Sequence, residues 1–454
     1  MKRAWDAYRE HAFGADEIQP LSNRSHNWLY LGATLVDCLD NLWIMGLKEE
    51  FAEAREWVAT KLRFDGSFGI SMFETSAPAM TALRNRKPSQ LCASLEKAHF
   101  AQSSHHDIAY IESPRHQFHF SWPSRFFTRF ISIPYSRQPA LSLDCPSPQD
   151  SNSLIVLPPF RLVLTPSSAS PPTWLWIVAP FIRILGGLLS AFEFSKDRLF
   201  LHKAQELADR MMFAFQKNPT GLPCTTISLS SKLCSHPAWT QARGERALAV
   251  RPNSAILAEF GTIQLEYKYL AYHTGEKKYW DVSENIMLLM RHIERPHGLF
   301  PTFINPSSGR WSTGKIAFGA LGDSFYEYLI KQWLLTRKSE PYLREMWEST
   351  MLAMAKLLVQ KSSPSELVYV ADWTGSSLIH KMDHLACFIP AMLAVGAQDG
   401  SKYDAEFMTL ADRIGETCYQ MYAITRSGLS AEFVQFKPGE DMRIGLSAPY
   451  NIGR

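Results

Sequence analysis

Apolar residues recur every three to four positions through most of the chain, which is the spacing of one helix face. In residues 31–57 the repeat includes Leu35 and Leu39, stops at Gly46 and resumes at Phe51. The pattern therefore predicts helices on either side of a break at Gly46.

A helix-patterned stretch, a short polar turn and a second helix-patterned stretch recur three times. The turns lie at 195–197, 275–280 and 337–341. Strand-helix alternation is not seen. Helix pairs that recur at separations longer than a solenoid repeat favour an α/α barrel or toroid. The predicted fold class is therefore all-α.

Residues 76–181 differ in composition from the rest. They hold 14 of the 27 prolines and no glycine, with 9 Lys/Arg against 5 Asp/Glu, and their apolar bursts lack a helical period. We predict an irregular or disordered Pro/Ser-rich insertion there, which divides a helical domain into residues 1–75 and 182–454.

Charge and cysteine content exclude several classes of function. A formal net charge of +3 over 454 residues is too small to indicate a nucleic-acid partner. Seven cysteines fit neither a disulfide scaffold nor a metal-ligand spacing, although one or two pairs stay open. The longest apolar run, residues 174–182, is short of a membrane span, and we expect neither signal peptide nor anchor in this sequence.

Acidic residues within apolar, aromatic segments are the main chemical signal, because a carboxylate there must be paired, hydrated or functional. They are Asp37, Asp40, Glu74, Glu259, Glu266, Asp323, Glu327, Asp383 and Glu432. Carboxylates beside aromatic platforms suit sugar hydrolysis. Helix caps and ion pairs are the alternative interpretation, which composition alone favours.

Several long motifs, in one order, resemble glycoside hydrolase family 47, the class I processing α-1,2-mannosidases. They are residues 4–8 and 14–17, 31–37 and 42–47, 73–75, 182–189, 258–262, 322–329, 381–388 and 428–432. The resemblance implies an (α/α)7 barrel that removes terminal α-1,2-linked mannose from high-mannose N-glycans of glycoproteins, with inversion and with a calcium ion. It also implies the Golgi or endoplasmic reticulum, and we expect a monomer.

Motif by motif, the resemblance assigns catalytic roles. Glu74 matches the family's acid, which acts through a water on the leaving side. Asp323 and Glu432 match further essential carboxylates near the cleaved bond. Arg183 matches an arginine that contacts the acid and the substrate.

The resemblance also assigns substrate-binding and structural positions. Glu259 and Glu327 match acids that line the cavity, and Cys387 and Cys418 match a structural disulfide. Leu321 stands two residues before the motif aspartate, where an apolar residue is typical of the Golgi-like members that remove several mannoses.

The sequence departs from the family at three places. The insertion separates Glu74 from Arg183, which the family keeps four residues apart. Residues 241–253 form an extra arginine-rich run. At Arg454 the family continues with a Leu-Arg-Pro-Glu motif, further helices and the calcium-binding threonine, so we predict an incomplete barrel and no metal ligand in this chain. A catalytically inactive, mannose-glycan-binding quality-control protein and a non-functional fragment are the alternative functions.

Overall fold

Antiparallel helix pairs joined by short turns build most of the protein. A computed structural model describes residues 1–65, 69–71, 180–236, 254–437 and 440–444. The predicted insertion lies outside the described residues except for its last two, and so does the run at 241–253.

Fourteen α-helices occur in the described ranges. They are α1 (Lys2–Ala12), α2 (Ala33–Asp37), α3 (Leu39–Ile44), α4 (Lys48–Thr60), α5 (Gly186–Ser195), α6 (Arg198–Met211), α7 (Phe213–Gln216), α8 (Leu257–Phe260), α9 (Gln264–Thr274), α10 (Lys277–His292), α11 (Asp323–Leu335), α12 (Pro341–Leu357), α13 (Ile389–Gly396) and α14 (Asp404–Ala423). A π-helical turn (Pro180–Leu185) leads directly into α5, and a 3₁₀ turn (His384–Phe388) leads into α13.

Short strands border the helix ends. They are β1 (Glu17–Gln19), β2 (Arg24–His26), β3 (Gly69–Ser71), β4 (Thr226–Ser228), β5 (Cys234–Ser235), β6 (Ala255–Ile256), β7 (Phe303–Ile304), β8 (Val359–Lys361), β9 (Val368–Val370), β10 (Asp372–Trp373), β11 (Leu378–Ile379), β12 (Lys381–Asp383), β13 (Phe433–Gln435) and β14 (Arg443–Ile444). All pairs are antiparallel, and two sheets have three strands, in the orders β3-β4-β5 and β12-β13-β14.

Ten of the helices in the described ranges pack in consecutive pairs to form hairpins. The five hairpins are α3/α4, α5/α6, α9/α10, α11/α12 and α13/α14, and α3 also packs on α5 as α9 does on α11. The predicted all-α architecture of paired helices is confirmed.

The turns of these hairpins use ordinary helix-capping chemistry. In the first predicted turn, Lys196 ends α5 with φ 57°, and the Asp197 side chain accepts the backbone N–H of Leu199 at 2.9 Å to start α6. In the second turn, Gly275 ends α9 with φ 76°. The polar residues of these turns therefore position the hairpins.

Two glycines allow helices to pack closely. A β-carbon at Gly187 of α5 would lie 2.8 Å from the carbonyl oxygen of Val36, and one at Gly396 would lie 2.0 Å from the buried Trp347 ring. Both positions therefore exclude larger side chains.

A buried ammonium group joins the third and fourth hairpins. The Lys268 side chain on α9 is 1% exposed, and its Nζ donates to both carboxylate oxygens of Glu340 at 2.8 Å. Glu284 Oε2 of α10 lies 3.4 Å away, and the Trp280 ring centroid lies 4.6 Å away. This network replaces the water that a buried charge would lose.

Two disulfides occur in the described part. Cys387–Cys418 joins the turn before α13 to α14, which is the pairing that the resemblance implies, and Cys224–Cys234 closes a hairpin that was not predicted. Among the described helices, none combines the length and the apolar character needed to cross a membrane.

Candidate active site

Asp323 is the first residue of α11, where the unpaired N–H groups of a helix start favour a carboxylate. Its Oδ1 accepts the backbone N–H of Ser324 at 2.8 Å. Burial raises the pKa of Asp323 to about 6, and the charges of Glu327 and Asp383 act in the same direction. Asp323 therefore keeps its proton up to mildly acidic pH, which suits a group that exchanges a proton during a reaction.

The loop that leads into α11 contacts Asp383 on β12. A β-carbon at Gly319 would lie 2.4 Å from Asp383 Oδ2, so glycine lets the loop approach this closely. Ala320 donates its backbone N–H to the same oxygen at 3.4 Å, and Lys381 Nζ lies 2.5 Å from Asp383 Oδ1. Asp383 thus connects β12 to the loop that carries Asp323.

Strand pairing places Glu432 beside Asp383. Asp383 lies opposite Phe433 in the β12–β13 ladder, and the backbone N–H of His384 donates to the carbonyl oxygen of Glu432 at 2.9 Å. Two of the three predicted catalytic carboxylates, Asp323 and Glu432, therefore adjoin segments that contact Asp383, namely the loop before α11 and strand β13.

Asp372 is a buried acid that shares the Lys381 ammonium group with Asp383. Its Oδ2 lies 3.9 Å from Lys315 Nζ and 4.0 Å from Lys381 Nζ. Burial raises the pKa of Asp372 to about 6, although both lysines oppose the shift. Lys381 therefore contacts both Asp372 and Asp383, which ties this buried acid to the loop before α11.

Leu321 lies two residues before Asp323 and Glu327 lies one helical turn after it, and both were predicted to bind substrate. Leu321 is half-buried with φ 78°, and its carbonyl oxygen accepts the backbone N–H of Ala258 at 3.0 Å. Glu327 lies one turn along α11 and forms an ion pair with Lys331. Because Ala258 precedes Glu259, the Leu321 backbone also links the Asp323 loop to the helix of Glu259.

Glu259 lies on the short helix α8 and is buried. Thr225 Oγ1 donates a hydrogen bond to its Oε2 at 2.6 Å. Burial raises the pKa of Glu259 to about 8, and the Thr225 hydrogen bond opposes the shift. Glu259 is therefore mainly protonated at neutral pH and can donate a hydrogen bond as well as accept one.

Glu266 on α9 is a second buried acid with a raised pKa. Tyr328 of α11 donates to its Oε1 at 3.0 Å. Burial raises the pKa of Glu266 to about 7. This contact joins the helix that follows Glu259 to the helix that begins with Asp323.

Arg183 lies in the π-helical turn and pairs with an acid from the first hairpin. Its Nη1 lies 2.7 Å from Asp37 Oδ2, and the two side chains are 35% and 38% exposed. Asp40 accepts the Ser190 hydroxyl at 2.9 Å. Glu74 lies outside the described residues, so its predicted approach to Arg183 stays a prediction.

The described residues do not fit a carboxylate-bound metal centre. No group of three or more His, Cys, Asp or Glu side chains in the described ranges could hold a metal ion. None of the acids above is therefore assigned as a calcium ligand.

Several partners in this region were not predicted from the sequence. Three of them contact an acid or a lysine at least 34 positions away in the sequence: Thr225 contacts Glu259, Tyr328 contacts Glu266, and Asp372 contacts Lys315. Asp372 also lies on a strand too short to recognise from the sequence. The available signal for Asp372 was an acid directly after the apolar run 368–371.

The clustered acids lie at the ends and in the loops of paired helices, an arrangement that an α/α toroid provides. The sequence model described as "Glycosyl hydrolase family 47" matches residues 1–83 and 180–450. The chain belongs to this family, as the resemblance implied.

Similar proteins carry mannosidase names. The chain is 33% identical over 459 residues to mannosyl-oligosaccharide 1,2-alpha-mannosidase MNS1 of Arabidopsis thaliana, covering all of this chain and 60% of that protein. It is 30% identical to the human endoplasmic reticulum mannosyl-oligosaccharide 1,2-alpha-mannosidase, covering 99% of this chain and 48% of the relative. The chain thus spans about half the length of these relatives.

A solved structure shares the fold. The alpha-1,2-mannosidase from Trichoderma reesei superposes with a TM-score of 0.65 at 19% identity, covering 96% of this chain and 70% of that chain. At this identity the likeness establishes the fold, the (α/α)7 barrel.

Proposed function

We propose that the protein binds high-mannose N-glycans and hydrolyses their terminal α-1,2-linked mannose at the acids around Asp323. The observation that carries this proposal is the contact of Asp383 with both the loop before Asp323 and the strand after Glu432. Family membership and the mannosidase names of the relatives support it.

The proposed roles follow the chemistry of inverting hydrolysis, in which an acid protonates the leaving oxygen while a carboxylate activates water on the opposite face. Glu74 is the proposed acid, through a water, and Asp323 and Glu432 are the essential carboxylates near the cleaved bond. Arg183 and Glu259 bind sugar hydroxyls. The inversion, the calcium ion, the Golgi or endoplasmic reticulum and the monomeric state stay predictions, and no step here depends on the ion.

Glycan binding without hydrolysis is a second candidate function. Glu259, with its proton held at neutral pH, can hydrogen bond to a sugar hydroxyl whether or not a bond is cleaved.

The test incubates the purified chain with Man9GlcNAc2 near pH 6 with calcium, and follows both mannose release by mass spectrometry and glycan binding by calorimetry. Asp323→Asn should lower release by at least about a hundredfold, because a positioned proton-exchanging group contributes about that much. Glu345→Gln, on exposed α12 surface, is the matched control and should leave release unchanged. Binding without release supports the second candidate, and loss of both overturns the proposal.

A further inference from the structure

A disulfide closes the hairpin that lies next to Glu259. Strands β4 and β5 pair with Thr226 opposite Ser235 and Ile227 opposite Cys234. Cys234 is bonded to Cys224, which lies two residues before β4 and is 2% exposed. The cross-link therefore joins the start of β5 to the chain just ahead of β4.

Thr225, the residue after Cys224, is the hairpin's contact with Glu259. Its hydroxyl donates to Glu259 Oε2 at 2.6 Å and lies 3.4 Å from His236 Nδ1. Within the described part, Thr225 provides the hydrogen bond to the Glu259 carboxyl. Because the threonine is bonded directly to Cys224, the disulfide restrains the backbone next to this contact.

The disulfide and the acid also border one small cavity. Its lining comprises Pro223, Cys224, Thr225, Ala255, Ile256, Glu259, Phe260 and Ile263. The lining is mainly apolar, so a carboxyl that moved away from Thr225 would meet few other donors there. Such surroundings make the position of the threonine hydroxyl decisive for the acid.

The other edge of the same sheet is β3, which precedes the proposed acid along the chain. Strand β3 pairs with β4, with Ser71 opposite Thr226. Glu74 is three residues beyond Ser71 along the chain. The cross-linked hairpin thus supports the strand that precedes Glu74 as well as the Glu259 contact.

We propose that the Cys224–Cys234 disulfide is a positioning cross-link for the glycan site, which holds the Thr225 hydroxyl on the Glu259 carboxyl. Thr225 is then a positioning residue and not a catalytic one. An isolated hairpin of such short strands is marginally stable, and the cross-link restricts the alternatives open to it. The glycan-binding part of this inference rests on the proposed function.

The decisive variants are Thr225→Val, which keeps the side-chain shape and the disulfide, and the pair Cys224→Ala with Cys234→Ala. Alanine is chosen because a serine hydroxyl at buried position 224 would lack a partner. The matched controls are Thr226→Val on the same hairpin and the pair Cys387→Ala with Cys418→Ala, which removes the other disulfide.

The first measurement is the titration of the Glu259 carboxyl by carbon-13 NMR, assigned with Glu259→Gln. Both decisive variants should raise the Glu259 pKa, since a donor to the carboxylate is lost, and both controls should leave it in place. Thr225→Val stays informative if the cysteine pair fails to fold. An unchanged titration in Thr225→Val, or in a folded cysteine pair, overturns the inference.

The second measurement is binding of Man9GlcNAc2 by calorimetry. The decisive variants should bind about tenfold more weakly, and the folded controls should bind as the parent does. If the parent itself binds no glycan, the proposed function fails while the titration still decides the role of the cross-link. Parental affinity in both decisive variants overturns the link to the glycan site.

Discussion

Burial, and not charge, controls the protonation of three acids in this protein. Loss of hydration is the largest cause of the raised pKa at Glu259, at Glu266 and at Asp323, with values of about 8, 7 and 6. Each acid keeps a hydrogen-bond partner that offsets part of the cost of burial. Between pH 6 and 7 the region therefore contains neutral carboxyl groups beside charged ones, an arrangement typical of acid-base sites.

Glu259→Gln should remove part of the pH dependence of stability. Between pH 4.5, the ordinary pKa of the unfolded chain, and about pH 8, the folded chain keeps a proton on Glu259 that the unfolded chain has lost. The free energy of unfolding of the parent therefore falls as pH rises through this window. The loss amounts to at most roughly 5 kcal/mol in the free energy of unfolding. Urea unfolding at pH 5 and pH 8 measures it. Parallel pH profiles for parent and variant would contradict the assignment, and Glu345→Gln is the control.

Leu321→Arg should change the product pattern and not the fold. Every residue with a β-carbon meets the same backbone cost at φ 78°, and Leu321 is half-buried, so an arginine can extend from the loop. On Man9GlcNAc2 we expect the variant to stop after fewer mannoses than the parent, as measured by mass spectrometry over time. Identical product ladders would show that this position does not set specificity.

Helix pairs and short strands have different roles in placing the site. The hairpins provide the rigid frame, while β12, β13 and the loop before α11 place Asp383, Glu432 and Asp323 relative to one another. Close approach of the frame depends on small residues, of which Gly187 between α5 and Val36 is the clearest example. Small residues therefore set how closely the helices of this frame pack.

Gly187→Ala and Gly415→Ala should change stability in opposite directions. At 187 the new methyl group meets a backbone carbonyl at 2.8 Å, which neither helix can vacate easily, so we expect a loss of about 1 to 3 kcal/mol. At 415, in the interior of α14, the nearest atom is 4.0 Å away, and alanine should add about 0.5 to 1 kcal/mol. Thermal unfolding of both variants decides; equal shifts would count against close packing at Gly187.

The sequence predicted the helix pairs because a 3.6-residue period persists over ten or more positions. It could not predict β4, β5 or β12, since two or three residues are too few to show alternation. Asp323 and Glu327 were recognisable as acids among aromatics, but the partners of Asp372 come from separate segments. The Cys224–Cys234 disulfide could not be predicted, because two cysteines ten residues apart match no sequence motif that indicates a disulfide.

Cross-links characterise the molecule as a whole. Of the five cysteines in the described ranges, four form two disulfides, and Cys38 remains a thiol. Burial beside Asp37 and Asp40 raises the pKa of the Cys38 thiol to about 11, which keeps it unreactive. Proteins that depend on such pairs fold best under oxidising conditions.

Peptide mapping of the chain produced under oxidising conditions should identify both disulfides. Cys38 should react with iodoacetamide at pH 8 about a hundredfold more slowly than a free cysteine, because its thiolate fraction is that much smaller. After unfolding in urea, Cys38 should react at the ordinary rate. Rapid labelling of Cys38 in the folded protein would contradict the raised pKa of this half-buried thiol.

The Lys268 network limits which hairpins of this protein can be replaced by the corresponding hairpins of another α/α toroid. Its ammonium group belongs to α9, while its carboxylates come from α10 and from Glu340 at the start of α12. A chimera that replaced the fourth hairpin without an acid at position 340 would leave a buried charge unpaired, at a cost of about 3 to 5 kcal/mol. The third and fourth hairpins should therefore be replaced together. Chimeras that replace both hairpins should give a higher soluble yield than chimeras that replace only one, and equal yields would contradict this expectation.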